Sequence, residues 1–148
     1  MSPKVHVPCG IVSGSLAFFI TKSLSLSVSC CLANFLFDCD HILEYSLYCI
    51  RNRIKPSIED FFSGEYFSKK GTLGVIFHGY EYVLLMFFLF CLLSLLNHSV
   101  NMLLLGILIG YSEHLILDLI GNDCSFRGYS LIYRLSVKFK IELICDRN

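Results

Sequence analysis

The chain has 148 residues and no formal net charge, and 55% of its residues are hydrophobic while only 16% are charged. A soluble globular domain carries about 25% charged residues, and a core of this size cannot bury so much apolar surface. The composition therefore excludes a disordered chain, a collagen-like repeat and a soluble nucleic-acid-binding protein, and it predicts a single all-α membrane domain over residues 1–148, embedded in the lipid bilayer.

The N-terminal residues 7–37 are apolar except for Thr21-Lys22-Ser23 in their middle. Two structures fit this pattern, a helical hairpin with Lys22 at its tip and a single helix broken near Lys22. We favour the hairpin because a lysine in mid-membrane is costly, although each arm is shorter than the about 20 residues of a full span. A cleaved signal peptide is a third interpretation, but no clear cleavage site follows the apolar run.

The middle of the chain has one polar segment followed by two apolar runs. Residues 51–70 contain five Lys or Arg residues and the helix-breaking Pro56, so we predict a cytoplasmic loop there. The runs at 75–96 and 100–120 each supply the about 20 residues of a membrane span, and a short polar link joins them. Residues 75–120 are therefore predicted to form a transmembrane hairpin.

The C-terminal residues 121–148 are predicted to form an interfacial tail. Apolar and basic residues alternate over 129–144, as in an amphipathic helix that lies on the membrane. With the two hairpins, this gives about four membrane-embedded helices and one interfacial helix. The basic residues of the tail and of 51–70 lie on the same side of the 75–120 hairpin, so the positive-inside tendency predicts a multi-pass protein with that side in the cytoplasm.

The eight cysteines invite a disulfide framework, but most of them lie within apolar runs and the sequence has no CxxC pair. A cysteine in a membrane helix usually acts as a small apolar residue. We therefore favour that role over disulfides or metal thiolates.

Acidic and imidazole side chains are concentrated at one end of the predicted spans. Because successive predicted spans run in opposite directions, these side chains fall at the same membrane depth, near the predicted cytoplasmic face. Three pairs are spaced i,i+3 or i,i+4 and so share a helix face, namely Asp38 with His41, His78 with Glu81, and His114 with Asp118, whereas Asp40 points elsewhere on a regular helix. Ionisable groups in a membrane are costly and need partners. The set consists of His6, Asp38, Asp40, His41, His78, Glu81, His114 and Asp118.

These side chains predict a metal centre between the helices. Imidazole nitrogens and carboxylate oxygens suit a divalent ion, zinc first and manganese or iron as alternatives. The candidates outnumber the ligands of one tetrahedral site, so both one ion and two ions fit. A polar clamp between helices is the structural alternative. The predicted ligands are His6, Asp38, His41, His78, His114 and Asp118.

The ordered set of motifs resembles a known family. An early His6, Asp-x-Asp-His at 38–41, His-x-x-Glu at 78–81 and Gly-Tyr-Ser-Glu-His-Leu-Ile-Leu-Asp at 110–118 look like the membrane-bound metal-dependent hydrolases of the YdjM type. The resemblance covers about residues 6–122. It implies hydrolysis and leaves the substrate open.

The chain departs from that family pattern at three places. Phe37 stands where a Pro commonly precedes the Asp-x-Asp, Lys69-Lys70-Gly71 replaces a His-Arg-Gly-like stretch, and Gly79 follows His78 where Ser is usual. The second departure removes one candidate ligand and, with it, support for a second ion.

The combined prediction is a hydrolase that uses a metal-activated water on an amphiphilic substrate, such as a phospholipid or a lipid-linked phosphate, at the cytoplasmic interface. Glu81 is predicted as the general base or a further ligand, and Asp40 as a group that orients a ligating histidine. The alternatives are a transporter of divalent metal or protons and a non-catalytic protein with a structural metal. The far halves of the last two spans carry no ionisable group beyond Cys91, which favours a one-sided site over a transport path.

Overall fold

The computed structural model describes residues 3–96 and 98–145, with side chains described at 5–96 and 101–145. Asn97 of the predicted polar link and residues 146–148 of the predicted tail lie outside the described residues. Within the described ranges every regular element is a helix and no strand occurs, which confirms the all-α prediction. The helices are α1 (Pro3–Thr21), α2 (Leu24–Leu36), α3 (Cys39–Asn52), α4 (Ile58–Ser63), α5 (Glu65–Lys70), α6 (Tyr80–Ser94), α7 (His98–Gly121), a 3-10 helix (Phe126–Tyr129), α8 (Leu131–Ser136) and α9 (Ile141–Ile144).

The helices α1, α2, α6 and α7 pack into a bundle, with α2 against α1 and α7, and α6 against α7. The turn between α1 and α2 is at Lys22, which has a left-handed φ of 56°. The Ser23 hydroxyl accepts a hydrogen bond from the Leu26 N–H at 3.3 Å and so caps α2. Residues 7–37 therefore form a helical hairpin with Lys22 at its tip.

Two glycines let α7 approach α2 closely. A Cβ atom at Gly110 would overlap the carbonyl oxygen of Cys30, and one at Gly106 would overlap the hydroxyl of Ser29. Small residues at such positions allow two helix backbones to meet without a gap. This contact holds the middle of α7 against α2.

Two helices among the described residues are long and apolar enough to cross a membrane, Leu24–Asn52, which runs through the α2–α3 junction, and Asn101–Gly121. The segments Val5–Thr21 and Tyr80–Ser94 are apolar but shorter. By length alone, two of the about four predicted membrane helices therefore qualify as full spans.

The third predicted span begins later than the sequence suggested. The apolar run starts at residue 75, but α6 starts at Tyr80, and Gly79 before it has extended backbone angles, φ −118° and ψ 129°. The backbone N–H of Phe77 donates to the Asp40 carboxylate at 2.8 Å and is therefore not available to a helix. A contact to another helix thus overrides the local helical tendency of residues 75–79.

The polar segment 51–70 is partly helical. The helices α4 and α5 meet at Gly64, whose φ of 67° is the left-handed conformation that glycine adopts without strain. Tyr66 of α5 packs with Tyr45 and Cys49 of α3. The segment therefore folds back on α3 instead of forming an open loop.

The tail is not the single amphipathic helix predicted over 129–144. It consists of the 3-10 helix followed by α8 and α9, and left-handed φ angles at Lys138 and Phe139 separate the last two. The prediction was wrong because alternating apolar residues suit an inward-packed segment as well as a membrane-facing helix.

The tail packs against the extended segment before α6. Ile144 is fully buried beside Leu73 and Val75, and a disulfide joins Cys124 to Cys145 within the same cluster. The sequence analysis favoured apolar roles for the cysteines, and for this pair that prediction was wrong. The pairing depends on the folding back of the tail, which the sequence pattern did not show.

Candidate metal centre

Imidazole and carboxylate groups from three segments meet at one end of the bundle. His114 and Asp118 lie one turn apart on α7, Asp38 lies at the α2–α3 junction, and His78 lies in the extended segment before α6. The exposed fractions of His78, His114 and Asp118 are 2%, 0% and 1%, so these side chains are removed from water. We call Asp38, His78, His114 and Asp118 the His/Asp quartet.

The ligand atoms of the quartet have the spacing of a metal cage. His78 Nε2 lies 3.0 Å from His114 Nε2 and 3.4 Å from both Asp38 Oδ1 and Asp118 Oδ2. His114 Nε2 lies 3.7 Å from the same Asp38 oxygen and 3.6 Å from the same Asp118 oxygen. Ligand atoms bonded to a tetrahedral zinc ion at 2.0–2.1 Å stand about 3.3 Å apart. The measured separations bracket that value.

Hydrogen bonds orient both histidines of the quartet through their Nδ1 atoms. His114 Nδ1 donates to the backbone carbonyl oxygen of Asn34 at 2.7 Å, and His78 Nδ1 donates to Asp40 Oδ2 at 3.2 Å. A carbonyl oxygen accepts only, so His114 in its neutral form carries its proton on Nδ1 and a lone pair on Nε2, and the Asp40 carboxylate fixes His78 in the same way. With both rings neutral, two lone pairs face each other at 3.0 Å, and an ion bound by both nitrogens would remove their repulsion; without an ion, the same contact is a hydrogen bond donated by a protonated His78.

Asp40 lies behind His78 in the position of an orienting carboxylate. It accepts hydrogen bonds from His78 Nδ1 and from the Phe77 N–H, and it is buried. Carboxylate–histidine pairs of this kind fix the ring and raise the basicity of the ligating nitrogen in metal sites. The structure thus brings Asp40 into contact with a ligand candidate, outside the quartet itself.

Replacing Asp40 by asparagine is expected to weaken metal binding by about 10- to 100-fold, because a neutral amide lacks the negative charge that raises the basicity of the ligating His78 nitrogen. Competition with a chromophoric chelator on the purified protein measures the affinity. The matched control is Asp60→Asn on exposed α4, which should bind metal as the wild type does. Equal affinities in both variants would contradict the orienting role.

His6 supports Asp118 from the other side. Its Nε2 donates to Asp118 Oδ1 at 3.2 Å, and its ring lies 4.2 Å from the ring of His114. The bond engages one carboxylate oxygen and leaves Oδ2 facing the quartet. His6, His114 and Asp118 also form a group whose ligand atoms are close enough to hold an ion.

His41 lies at the edge of the quartet. Its Nε2 is 3.7 Å from Asp38 Oδ1, and its ring meets that of His78 edge-on at 4.7 Å. Asp40, His41 and His78 are a further group of possible ligands, but the Asp40–His78 hydrogen bond already engages two of its members. The arrangement therefore favours one ion in the quartet with His41 beside it.

Glu81 is the predicted site residue that the structure does not bring to the centre. Its carboxylate accepts hydrogen bonds from the Ser130 hydroxyl at 2.5 Å, the Leu131 N–H at 2.9 Å and the Ile132 N–H at 3.1 Å. It therefore binds the first turn of α8. His78 lies outside α6, so the prediction that His78 and Glu81 share a helix face was wrong, and the geometry gives Glu81 no role as a general base.

A cavity of about 510 Å³ extends from the quartet toward the tail. Small-molecule sites in proteins commonly have volumes of about 300–1,000 Å³. Residues that line it include Asp38, His41, His78 and Asp118 of the candidate metal centre, and Tyr129 and Arg134 from the tail.

Arg134 is a residue of this cavity that the sequence analysis missed. Its exposed fraction is 2%, its Nε donates to the carbonyl oxygen of Gly128, and its Nη1 donates to that of Val75. Its guanidinium carbon lies 5.7 Å from the centre of the Tyr129 ring. Burial lowers the pKa of Arg134, but an arginine keeps its charge in proteins. Nothing in the sequence distinguishes it from the exposed Arg127 in the same tail.

No protein-family model, curated protein or solved structure matches this chain. The resemblance to the YdjM-type hydrolases therefore rests on its motifs. What the site does has to be inferred from the side chains that meet there.

Proposed function

We propose that this chain is a membrane-embedded, metal-dependent hydrolase of the YdjM type. The proposal depends on one observation, that His78 Nε2 and His114 Nε2 face each other at 3.0 Å beside two carboxylate oxygens. A divalent cation bound at this point would separate the lone pairs and balance two poorly solvated negative charges. Nitrogen and oxygen ligands with near-tetrahedral separations favour zinc, with manganese or iron as alternatives.

The surrounding residues have distinct roles in the proposed reaction. A divalent ion in the quartet supplies Lewis acidity, which lowers the pKa of water and polarises an ester oxygen. Hydrolysis also needs an acceptor for the proton of the attacking water, and His41 is a basic group that lies beside the quartet and lines the cavity. His6 and Asp40 hold Asp118 and His78 in their orientations.

The outer surface of the bundle supports its placement in a bilayer. Ile20, Leu95 and Ile120 are 80%, 83% and 77% exposed, and they lie at the ends of three different bundle helices. Apolar surface on this scale is typical of proteins that contact lipid. We therefore place α1 and α6 in the membrane beside the two longer helices, which gives a multi-pass protein.

The position of the centre suggests an amphiphilic substrate. The quartet lies at one end of the bundle, where α7 ends and α6 begins, and its cavity is closed by polar and apolar residues of the tail. A site at that depth meets the headgroup region of the bilayer. An ester of a phospholipid or a lipid-linked phosphate has its scissile bond at the same level.

The test is to purify the full chain, measure its metal content and assay it on phosphatidic acid and phosphatidylglycerol in mixed micelles. We expect about one ion per chain at the quartet and release of phosphate, glycerol phosphate or fatty acid. His41→Gln should keep the ion and lower turnover by at least about 100-fold, the loss typical of a missing general base.

Other outcomes favour the alternatives. A bound ion without turnover on phosphate or carboxyl esters would contradict the proposal and indicate a structural metal. Uptake of zinc into vesicles that contain the protein would indicate transport. Equal turnover in His41→Gln and wild type would remove His41 from the mechanism.

A further inference from the structure

We propose that Arg134 is an anion-binding residue of the cavity and that it receives the phosphate group of the substrate. This inference rests on the proposed hydrolase function and narrows its substrate class to phosphate esters. It is carried by three observations: Arg134 is buried, no carboxylate of the described residues pairs with it, and it lies on the cavity wall.

Among the described residues, the guanidinium of Arg134 is buried without a counter-charge. No carboxylate oxygen of those residues lies within 4.0 Å of it, and its hydrogen bonds go to the carbonyl oxygens of Gly128 and Val75. Asp40 and Glu81 act on it only from beyond ion-pair distance, and each already accepts other hydrogen bonds. A buried charge is normally paired, so one that the described residues leave unpaired indicates a bound anion as its partner.

Arg134 also retains donors for such a partner. A guanidinium has five N–H donors in a planar fork, and the two carbonyl contacts use only two of them. The fork matches two oxygens of a phosphate at once, which makes arginine the usual residue where a phosphate is recognised in a buried site. A neutral side chain with N–H donors could make the same two hydrogen bonds to carbonyl oxygens, so these bonds do not by themselves require the permanent positive charge of an arginine.

The tail holds Arg134 on the same cavity as the quartet. The Tyr129 hydroxyl donates to the backbone oxygen of Asp118 at 2.9 Å, which ties the tail to the end of α7. Arg134 lies over the ring of that Tyr129 and lines the cavity together with His41 and His78. A phosphate bound by Arg134 therefore occupies the space into which the quartet opens.

Binding of inorganic phosphate to the metal-loaded full chain in detergent tests the proposal by calorimetry. We expect Arg134→Gln, which keeps donors for the two carbonyl oxygens, to weaken phosphate binding by at least about tenfold, because a charged hydrogen bond is lost. The metal content should stay unchanged. Arg127→Gln, a change at an exposed arginine of the same tail, is the matched control and should bind phosphate as the wild type does.

A measurement on the wild type guards against a variant that does not fold. The arginine reagent phenylglyoxal, followed by mass spectrometry, should modify Arg134 less in the presence of phosphate, while Arg127 should be modified equally with and without phosphate. Absence of phosphate binding in the wild type, or equal binding in Arg134→Gln, would overturn the inference. If phosphate binding fails in this way while the metal ion is still bound, the hydrolase proposal is unaffected. If the chain binds no metal, the hydrolase proposal itself is contradicted.

Two further ligands identify the source of the phosphate. Glycerol 3-phosphate represents a soluble ester, and phosphatidic acid in mixed micelles represents a lipid headgroup. If phosphatidic acid binds more tightly than glycerol 3-phosphate and its binding requires Arg134, the substrate is a lipid. If the two ligands bind equally and both require Arg134, the substrate is a soluble ester. Binding of either ligand that does not depend on Arg134 would contradict the inference.

Discussion

His114→Ala is expected to lower the affinity for the metal by more than about 100-fold, because removal of groups that only orient a ligand already costs about 10- to 100-fold. His114 Nε2 is one of the four facing atoms of the quartet and lies 3.0 Å from His78 Nε2. Metal analysis after gel filtration and competition with a chelator measure the loss. Turnover should fall with the bound metal.

The contrast with His41 makes this test specific. His41 is, with His6, one of the two predicted ligands outside the quartet; its Nε2 lies 3.7 Å from Asp38 Oδ1, and its ring is partly exposed. His41→Ala should therefore keep the ion. Circular dichroism of His114→Ala against chelator-treated wild type shows whether the helices persist. Full metal content in a folded His114→Ala protein would contradict the quartet as the metal site.

The part of the site on α7 could be predicted because a regular helix fixes its own geometry. His114 and Asp118 are spaced i,i+4, and this spacing alone puts both side chains on one face. The glycines at 106 and 110 on the same helix have the spacing of small residues at helix contacts, and α2 packs against them in the structure. Local periodicity is enough for such statements, since no distant contact is needed to make them.

Residues whose positions depend on distant contacts could not be predicted in the same way. The segment that carries His78 is extended because Asp40 and Tyr111, both far away in sequence, bond to it. Glu81 is turned to the tail by three donors around Ser130. Arg134 is buried only because the tail folds back. In each case a tertiary contact overrides the local pattern.

The tail also contains information about which side of the membrane the site faces. The basic residues of 51–70 and of the tail predict the cytoplasmic side. The disulfide between Cys124 and Cys145 predicts the opposite, because disulfides persist in oxidising compartments and are reduced in the cytosol. Both features belong to the end of the bundle that carries the quartet, so one measurement on this pair decides between them.

Cys124→Ser is expected to lower the free energy of opening the tail by about 3 kcal/mol, the loop-closure value for cysteines about 20 residues apart. The two cysteines are separated by 21 residues, and their loop encloses α8 and α9. Hydrogen exchange of residues 126–144, followed by mass spectrometry, measures the opening. Cys91→Ser, which removes an exposed free thiol on α6, is the matched control and should leave exchange in the tail unchanged. Equal protection in Cys124→Ser and wild type would contradict a stabilising disulfide.

The redox state of the same pair in isolated membranes then assigns the side. If the quartet faces an oxidising compartment, a maleimide polymer should label Cys124 and Cys145 only after reduction, while the exposed Cys91 is labelled throughout in detergent. We expect this result, because the disulfide closes the wall of the cavity and its opening would uncover Ile144 and Val75. Labelling without reduction would instead place the quartet on the cytoplasmic side, where the basic residues predict it.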